Sequence, residues 1–221
     1  MERILVSWSG GKDSAMTLYA LIREKTYNIA ALLTTVTQDY DRISMHGVRR
    51  SLLERQAVSL GFPLEIVWIS KQDSCQEYES KMHQALEKYV DRGVLRVASG
   101  DIFLQDLRRY REENLSKIGM KGVFPLWERS TRELAHGFIA SGFGAVVSCV
   151  DSRALSKGFA GRAFDEAFLG DLPQDVDPCG ENGEFHTFVY DGPIFKKRIS
   201  YSFGEMVLRD DRFYFSDLIP E

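Results

Sequence analysis

The chain of 221 residues is long enough for one large α/β domain, or for a nucleotide-sized domain of roughly 130 residues with a smaller partner. Hydrophobic residues at 44% and charged residues at 27% exclude a disordered or fibrous chain, and a formal net charge of −4 argues against broad neutralisation of nucleic-acid phosphates. Cys75, Cys149 and Cys179 lie far apart with no CxxC pair, which excludes a disulfide framework and a cysteine zinc site and fits a reducing compartment.

Met1 to Trp8 holds only a short apolar run, too short for a signal-peptide core, and no stretch approaches about 18 uninterrupted apolar residues. A cytoplasmic protein without a membrane span is expected. Arg3 to Trp8, closed by Ser9-Gly10-Gly11, predicts a buried strand entering a tight turn, after which Ala15, Leu18, Tyr19 and Ile22 recur at helical spacing. The alternation repeats: Ile29 to Val36 is strand-like, Val48, Leu52, Leu53, Ala57 and Leu60 mark a helix, and Leu64 to Ile69 is strand-like again. Tyr78, Met82, Ala85, Leu86 and Tyr89 predict a further helix, followed by a strand at Leu95 to Ser99 and a charged helix from Gln105 to Ile118. Regular alternation of this kind implies a parallel sheet flanked by helices.

Val123 to Leu126 is read as one more short strand, Thr131 to Ala140 as a helix, and Gly144 to Val150 as the last parallel strand. Beyond Asp151 the character changes, with one short helix signal at Arg162 to Leu169 and then Phe-, Tyr-, Val- and Ile-rich runs from Phe185 that predict antiparallel strands. A boundary near residue 128 divides the chain into an N-terminal ATP-binding part, 1–128, and a mixed α+β C-terminal part, 129–221. The strand at 144–150 could still belong to the first sheet.

Ser9-Gly10-Gly11-Lys12-Asp13-Ser14 sits where strand turns to helix, so backbone N–H groups and the positive end of the helix dipole create an anion site. The glycines let the main chain approach phosphate oxygens, the hydroxyls of Ser9 and Ser14 add donors, Lys12 supplies charge, and Asp13 can orient the loop or hold Mg²⁺. In isolation Gly-Gly would be only a turn, with Ser14 or Asp13 as a helix cap. The α/β setting favours nucleotide binding instead.

SGGKDS resembles the PP-loop of the N-type ATP pyrophosphatases, which bind ATP, release pyrophosphate and adenylate a substrate. A second cluster, Asp177-Pro178-Cys179-Gly180-Glu181-Asn182-Gly183-Glu184-Phe185-His186-Thr187, places two carboxylates three residues apart beside a histidine and a threonine. Such groups could bind a metal, orient an amine or exchange protons, although any one alone is better read as part of a polar turn. Together with the PP-loop the cluster resembles that of the diphthine–ammonia ligase family, and Asp101, Arg109, Arg111, Glu113 and Pro125-Leu126-Trp127 stand in matching places.

The resemblance implies a HUP-like parallel sheet, with ATP and Mg²⁺ in the N-terminal part and a substrate-binding C-terminal part. It implies adenylation of a carboxylate or carbonyl, followed by transfer of ammonia or an amine. Lys12, Asp13, Glu181, Glu184 and His186 become the expected catalytic groups. Ser9, Gly10, Gly11, Ser14, Arg109 and Arg111 would hold ATP, and Asp101, Glu113, Asn182 and Thr187 would join the acceptor site. The expected partners are ATP, a carboxylate- or carbonyl-bearing substrate, an ammonia or amine donor and a second copy of the chain, with no membrane and no nucleic acid. Eukaryotic and archaeal ligases of the family read Glu-Gly-Gly-Glu-Phe/Tyr-Glu-Thr, whereas Asn182 and His186 here give the pattern of a bacterial branch. Because bacteria lack diphthamide, this leaves the acceptor open.

Arg108 to Glu113 is balanced between a solvated helix face and a phosphate-facing set, and Asp101 between a helix cap and a crevice residue. His46, His83 and His136 show no ligand spacing and are read as packing or surface residues. Phe195 to Phe215 is read as β-sheet core with solvated charges rather than an RNA surface. Two rival functions are a tRNA sulfurtransferase-like enzyme, for which Cys179 is the one cysteine inside a motif, and a non-catalytic ATP or AMP sensor.

Overall fold

The structure, a computed structural model, describes residues 1–221. The first sheet is built from β1 (Glu2–Ser7), β2 (Tyr27–Thr37), β4 (Leu64–Ile69), β5 (Arg96–Ala98) and β6 (Lys121–Val123), all parallel, in the spatial order β4-β2-β1-β5-β6. A two-residue strand, β3 (Arg42–Ile43), adds antiparallel to the end of β2. The helices α1 (Lys12–Glu24), α2 (Arg50–Leu60), α3 (Cys75–Val90) and α4 (Gln105–Ser116) alternate with the strands. The parallel α/β sheet flanked by helices that the sequence predicts is the one observed. Strand order reverses at β1, so the crevice beyond the C-terminal ends of β1 and β5 is where such a sheet receives a ligand.

β1 is buried on both faces because alternate residues project to opposite sides. Ile4 and Val6 join one apolar cluster with α1 and α2, while Leu5 joins another with Leu86 and Tyr89 of α3 and Leu115 of α4. Ser74 caps α3 through a reciprocal capping box with Glu77, and Gly61 ends α2 at φ +82°, a conformation open to glycine.

The second sheet has the order β8-β7-β10-β9, with β7 (Gly144–Asp151), β8 (Phe185–Asp191), β9 (Tyr201–Arg209) and β10 (Phe213–Pro220). Here the expectation for 144–150 is corrected. β7 pairs antiparallel with both β8 and β10 and takes no place in the parallel sheet. Its run of apolar residues is buried on both faces, and periodicity cannot distinguish that from a parallel strand. The short strand falls at Lys121–Val123 rather than 123–126, since Phe124 to Trp127 form a turn around Pro125, which has no N–H for a ladder. In the chain α5 (Thr131–Ala140) precedes β7, and α6 (Glu166–Asp171) lies between β7 and β8. α6 starts four residues later than predicted because Asp165 accepts the Phe168 N–H as its N-cap.

One continuous cluster of buried apolar side chains contains Ile4, Trp8 and Leu53 from the first half and Phe138, Val147, Phe168 and Phe188 from the second, so the two sheets share a core. Gln56 of α2, fully buried, ties them at its centre. Its Oε1 accepts from Trp8 Nε1 at 2.9 Å, and its Nε2 donates to Gly10 O at 3.1 Å and Val189 O at 2.6 Å. Replacing Gln56 with Leu strands the indole N–H and withdraws the donor from both carbonyls. The expected cost is about 2–4 kcal/mol, seen as a lower urea midpoint with unchanged m-value. A midpoint within error of wild type would contradict this linking role.

Candidate functional site

The chain leaves β1 at Ser7 and turns through Gly10, at φ +77°, into α1, whose N-cap is Gly11. Gly11 carries no capping side chain, and of the N–H groups of Lys12, Asp13 and Ser14 only that of Lys12 is taken by another side chain, so the positive end of the dipole opens on the crevice. Ser9 Oγ accepts the Gly11 N–H at 3.3 Å, and Ser14 Oγ donates to Gly11 O at 2.9 Å, holding the turn closed. β8 then docks directly on the loop: Val189 N donates to Gly10 O at 2.9 Å, and Lys12 N donates to Thr187 Oγ1 at 3.0 Å. A Cβ on Gly11 would lie 2.9 Å from His46 Cε1 and 3.0 Å from Thr187 O, so this glycine is required by the close approach of β8 and His46.

Lys12 is almost completely buried. Its Nζ donates to Asp13 Oδ1 at 3.0 Å and Oδ2 at 2.9 Å and to the carbonyl of Cys179, with the rings of Phe164 and Phe185 about it. Burial alone would lower the Lys12 pKa, but Asp13 above all holds it above the ordinary lysine value, so the ammonium stays charged. Glu181 reaches across from the loop before β8 to the end of β5, where Oε1 accepts from Ile102 N at 2.7 Å and Phe103 N at 3.4 Å. Burial, with Asp13 nearby, outweighs those bonds and raises the Glu181 carboxyl to about 7. Asp101 follows β5 into the same space and is paired with Arg111, whose Nε donates to Oδ1 at 3.2 Å and lies 2.9 Å from Oδ2.

These groups enclose a polar cavity of 220 Å³. Ser9, Lys12, Asp13, Ser14, Asp101, Arg111, Glu181, His186 and Thr187 all line it. The remaining expected residues do not. Arg109 points to solvent and lies 3.6 Å from Asp106, and Glu113 is exposed one helical turn away from Arg109. On α4 only Arg111 of this set turns inward, because neighbours in sequence project about 100° apart around a helix. Glu184 is buried away from the cavity, where Oε1 accepts from Asp177 N at 3.1 Å and Asn182 Nδ2 at 2.9 Å. Glu184 and Asn182 therefore shape the loop that presents Glu181. Gly10 faces Gln56 and lies outside the lining, so its part is conformational.

His46 is the residue that sequence spacing passed over. It lies just after β3 and meets His186 of β8 with ring centroids 4.5 Å apart and planes 34° from parallel. Thr187 O can only accept, so the 3.3 Å contact makes His46 Nδ1 the protonated nitrogen and leaves Nε2 as an acceptor. Burial lowers His46 to about 4 and His186 well below the usual histidine range, with Lys12 acting in the same direction, so both rings are neutral near pH 7. Ser148 Oγ of β7 anchors both backbones, at 3.2 Å from His46 O and 3.4 Å from His186 O. The only sequence signal for His46 was its place beyond the C-terminal end of a parallel strand.

Two further cavities adjoin, one sharing both histidines and the other His186 alone. One, of 420 Å³, lies over the ends of β1, β2 and β4 and includes Ser7, Leu33, Thr34, Thr35, Ile69 and Met82. The other, of 600 Å³, lies between the two sheets, with His186 and Met45 at its inner side and Tyr40, Phe213, Phe215 and Arg209 around it. No cluster of three His, Cys, Asp or Glu side chains forms a ready-made metal site, and no helix is long and apolar enough to cross a membrane. Cys179 is buried, its thiol donating to Thr131 O at 3.2 Å, and burial pushes its pKa up to about 12.

The sequence model of the diphthamide synthase N-terminal domain matches residues 2–122, and that of the diphthamide synthase C-terminal domain matches residues 130–216. A diphthine–ammonia ligase of Bos taurus is 30% identical over 227 residues, covering 93% of this chain and 85% of that protein. One of Danio rerio is 28% identical over 235 residues, covering 95% and 90%. One of Schizosaccharomyces pombe is 26% identical over 227 residues and covers 93% of this chain, which spans only 37% of that protein's length. A solved structure described as a predicted subunit of tRNA methyltransferase from Methanocaldococcus jannaschii overlaps 63% of this chain and 75% of its own, at 22% identity and a TM-score of 0.41, too loose a likeness to bear on function. With models of both domains matched in order along almost its whole length, the chain belongs to the diphthamide synthase family.

Proposed function

We propose that this protein is an ATP-dependent ligase that adenylates a carboxylate or carbonyl, releases pyrophosphate, and joins ammonia or an amine to the activated carbon with loss of AMP. The observation that carries the proposal is the uncapped N-terminus of α1 opening beside Lys12 into a cavity whose opposite wall holds Glu181 and His186. Backbone N–H groups and a permanently charged ammonium favour a polyphosphate there, and their fixed placement stabilises charge that builds on pyrophosphate as it leaves.

Of the three joined cavities, the polar one suits the phosphates. The cavity over β1, β2 and β4 suits the nucleoside, with apolar side chains beside it and the buried Thr34 hydroxyl without a partner at its wall. The cavity between the sheets is left for the acceptor, whose reacting group would meet the phosphate cavity at His186. Mg²⁺ usually takes one or two carboxylates and completes its shell with phosphate oxygens and water, so the partly exposed Asp13 carboxylate is a fitting single protein ligand. When bound there it would neutralise phosphate charge. His46 and His186, both neutral, offer hydrogen bonds to an uncharged nucleophile without holding it as a cation. His186 stands where the eukaryotic and archaeal ligases carry a glutamate, which supports a different acceptor and a place in the bacterial branch. A cytoplasmic location and a division near residue 128 belong to the same proposal. A sulfurtransferase role gains nothing from Cys179, since a buried thiol with so high a pKa supplies no thiolate.

Incubated with ATP labelled at the α-phosphate and with fractionated metabolites from its source, the protein is expected to form AMP and pyrophosphate. Formation of ADP and phosphate would sink the proposal. Lys12→Met is expected to lower kcat/KM for ATP by at least about 100-fold, roughly the loss of one strong charge-assisted contact in the transition state. Thermal melting of the variant separates that loss from unfolding.

The Glu181 pKa sets a second test. Because its folded value of about 7 lies above the unfolded one, the neutral carboxyl favours the fold fully below about pH 4.5, and that contribution fades as pH rises through 7. Ionisation also puts a negative charge in the phosphate cavity. Nucleotide affinity, followed by calorimetry, is therefore expected to weaken between pH 6 and 8, and Glu181→Gln is expected to flatten the curve. Identical pH curves for the two proteins would remove Glu181 from this role.

A further inference from the structure

The second sheet has two edges of opposite character. β8 is covered, its backbone bonded to Gly10, to Gln56 and, through Tyr190 O, to Ile199. β9, at the other edge, pairs only with β10 and is exposed over most of its nine residues. Along it and beside it, Phe203, Met206, Val207, Leu208 and Ile219 are 38–56% exposed. An apolar edge with free N–H and C=O groups is a template for another strand unless it is blocked; this one carries no proline and no lysine, and its one bulge, Gly204 and Glu205 opposite Asp217, lies at the near end of the regular stretch Met206 to Arg209.

The charges on the strand identify what it would pair with. Glu205 and Arg209 are the two ionic residues of β9, and neither forms an ion pair within the chain, whereas Arg42, Arg49 and Asp217 nearby satisfy one another at 2.7–2.8 Å. Arg209 instead lies over the rings of Tyr40 and Phe215, 5.0 and 5.4 Å from their centroids. An antiparallel pairing of β9 with itself about a twofold axis at Val207 sets Glu205 opposite the partner's Arg209 and Arg209 opposite the partner's Glu205. On the same face Val207 meets its own copy, and on the other Met206 meets Leu208. An axis at Glu205 would pair more residues but would oppose two glutamates, which is unfavourable. An axis at Met206 would leave both charges unmatched.

From this self-complementarity we infer that the protein is a twofold homodimer, joined edge to edge through β9 with Glu205 and Arg209 exchanged as reciprocal ion pairs. The two four-stranded sheets then run on as one of eight strands, an isologous interface in which each contact occurs twice. Arg209 and Phe215 also border the cavity between the sheets, so the contact lies beside the proposed acceptor entrance.

The test is the mass of the full chain in solution by light scattering across a concentration series. Wild type is expected at about twice the 25.2 kDa chain mass. Glu205→Lys and Arg209→Glu, each alone, place like charges opposite one another and are expected to weaken dimerisation at least about tenfold. Mixed in equal amounts, the two variants are expected to recover the dimer as a heterodimer, since each then faces its opposite, a recovery that misfolding of either could not produce. A monomeric wild type would overturn the inference. So would dimers indifferent to both reversals, or single variants that fail to rescue one another. None of these results depends on the ligase reading, which a monomer could equally satisfy.

Discussion

The docking of β8 onto the turn between β1 and α1 is the constraint on which the site depends. The turn is contributed by the parallel sheet and its opposite wall by the antiparallel sheet, about 175 residues later in the chain, as the bond from Lys12 N to Thr187 Oγ1 records. Val189 to Gly10 and the Gln56 side chain, bonded to both of their carbonyls, hold the same seam from beneath. Since these groups are buried, each bond forgone would leave a polar atom unsatisfied, and that cost gives the seam its definition. Gly11 follows from it, and because glycine offers no cap of its own, the N–H groups beyond that of Lys12 remain open to an anion.

The electrostatics of the cavity then separate by depth. Lys12, enclosed by Asp13, the Cys179 carbonyl and two aromatic rings, keeps its charge in every condition of interest. Glu181 is poised near neutrality because burial and Asp13 together outweigh two backbone donors. The adjoining histidines are held neutral by the same burial and by the positive charge of Lys12. The cations Lys12 and Arg111, an acid poised near neutrality and two neutral imidazoles suit the proposed reaction, which begins with a highly charged phosphate chain and ends with an uncharged nucleophile.

The contrast between the edges of the second sheet has the same origin. β8 is sealed because its backbone bonds to the turn between β1 and α1, and the open end of the hydrogen-bonding ladder falls at β9. With one edge closed by that turn, the other is the surface through which this sheet can extend.

Much of the parallel half was legible from local signals. Alternating apolar runs and helical stripes located β1, β2, β4, β5 and α1 to α4 within a few residues, and two glycines at a strand-to-helix junction marked the turn proposed to hold phosphates. Pattern could not assign β7, buried on both faces like a parallel strand, nor place the short strand beside Pro125. Residue type alone also misdirected parts of the site. Glu181 and Glu184 are three apart and chemically alike, yet the backbone turn aims the first at the end of β5 and the second at Asp177. Arg109 and Arg111 differ in the same way, because a helix sends them to different sides.

What the sequence alone determined was the kind of chemistry: a loop able to grip phosphates, a nearby acidic and imidazole cluster, and an α/β frame to carry them. Those depend on residue identity and short-range periodicity. Tertiary structure decided which of these groups meet, brought His46 against His186 across 140 residues, set Glu181 near neutrality, and left β9 uncovered. Burial and partners are set by contacts between segments far apart in the chain, and no local pattern encodes them.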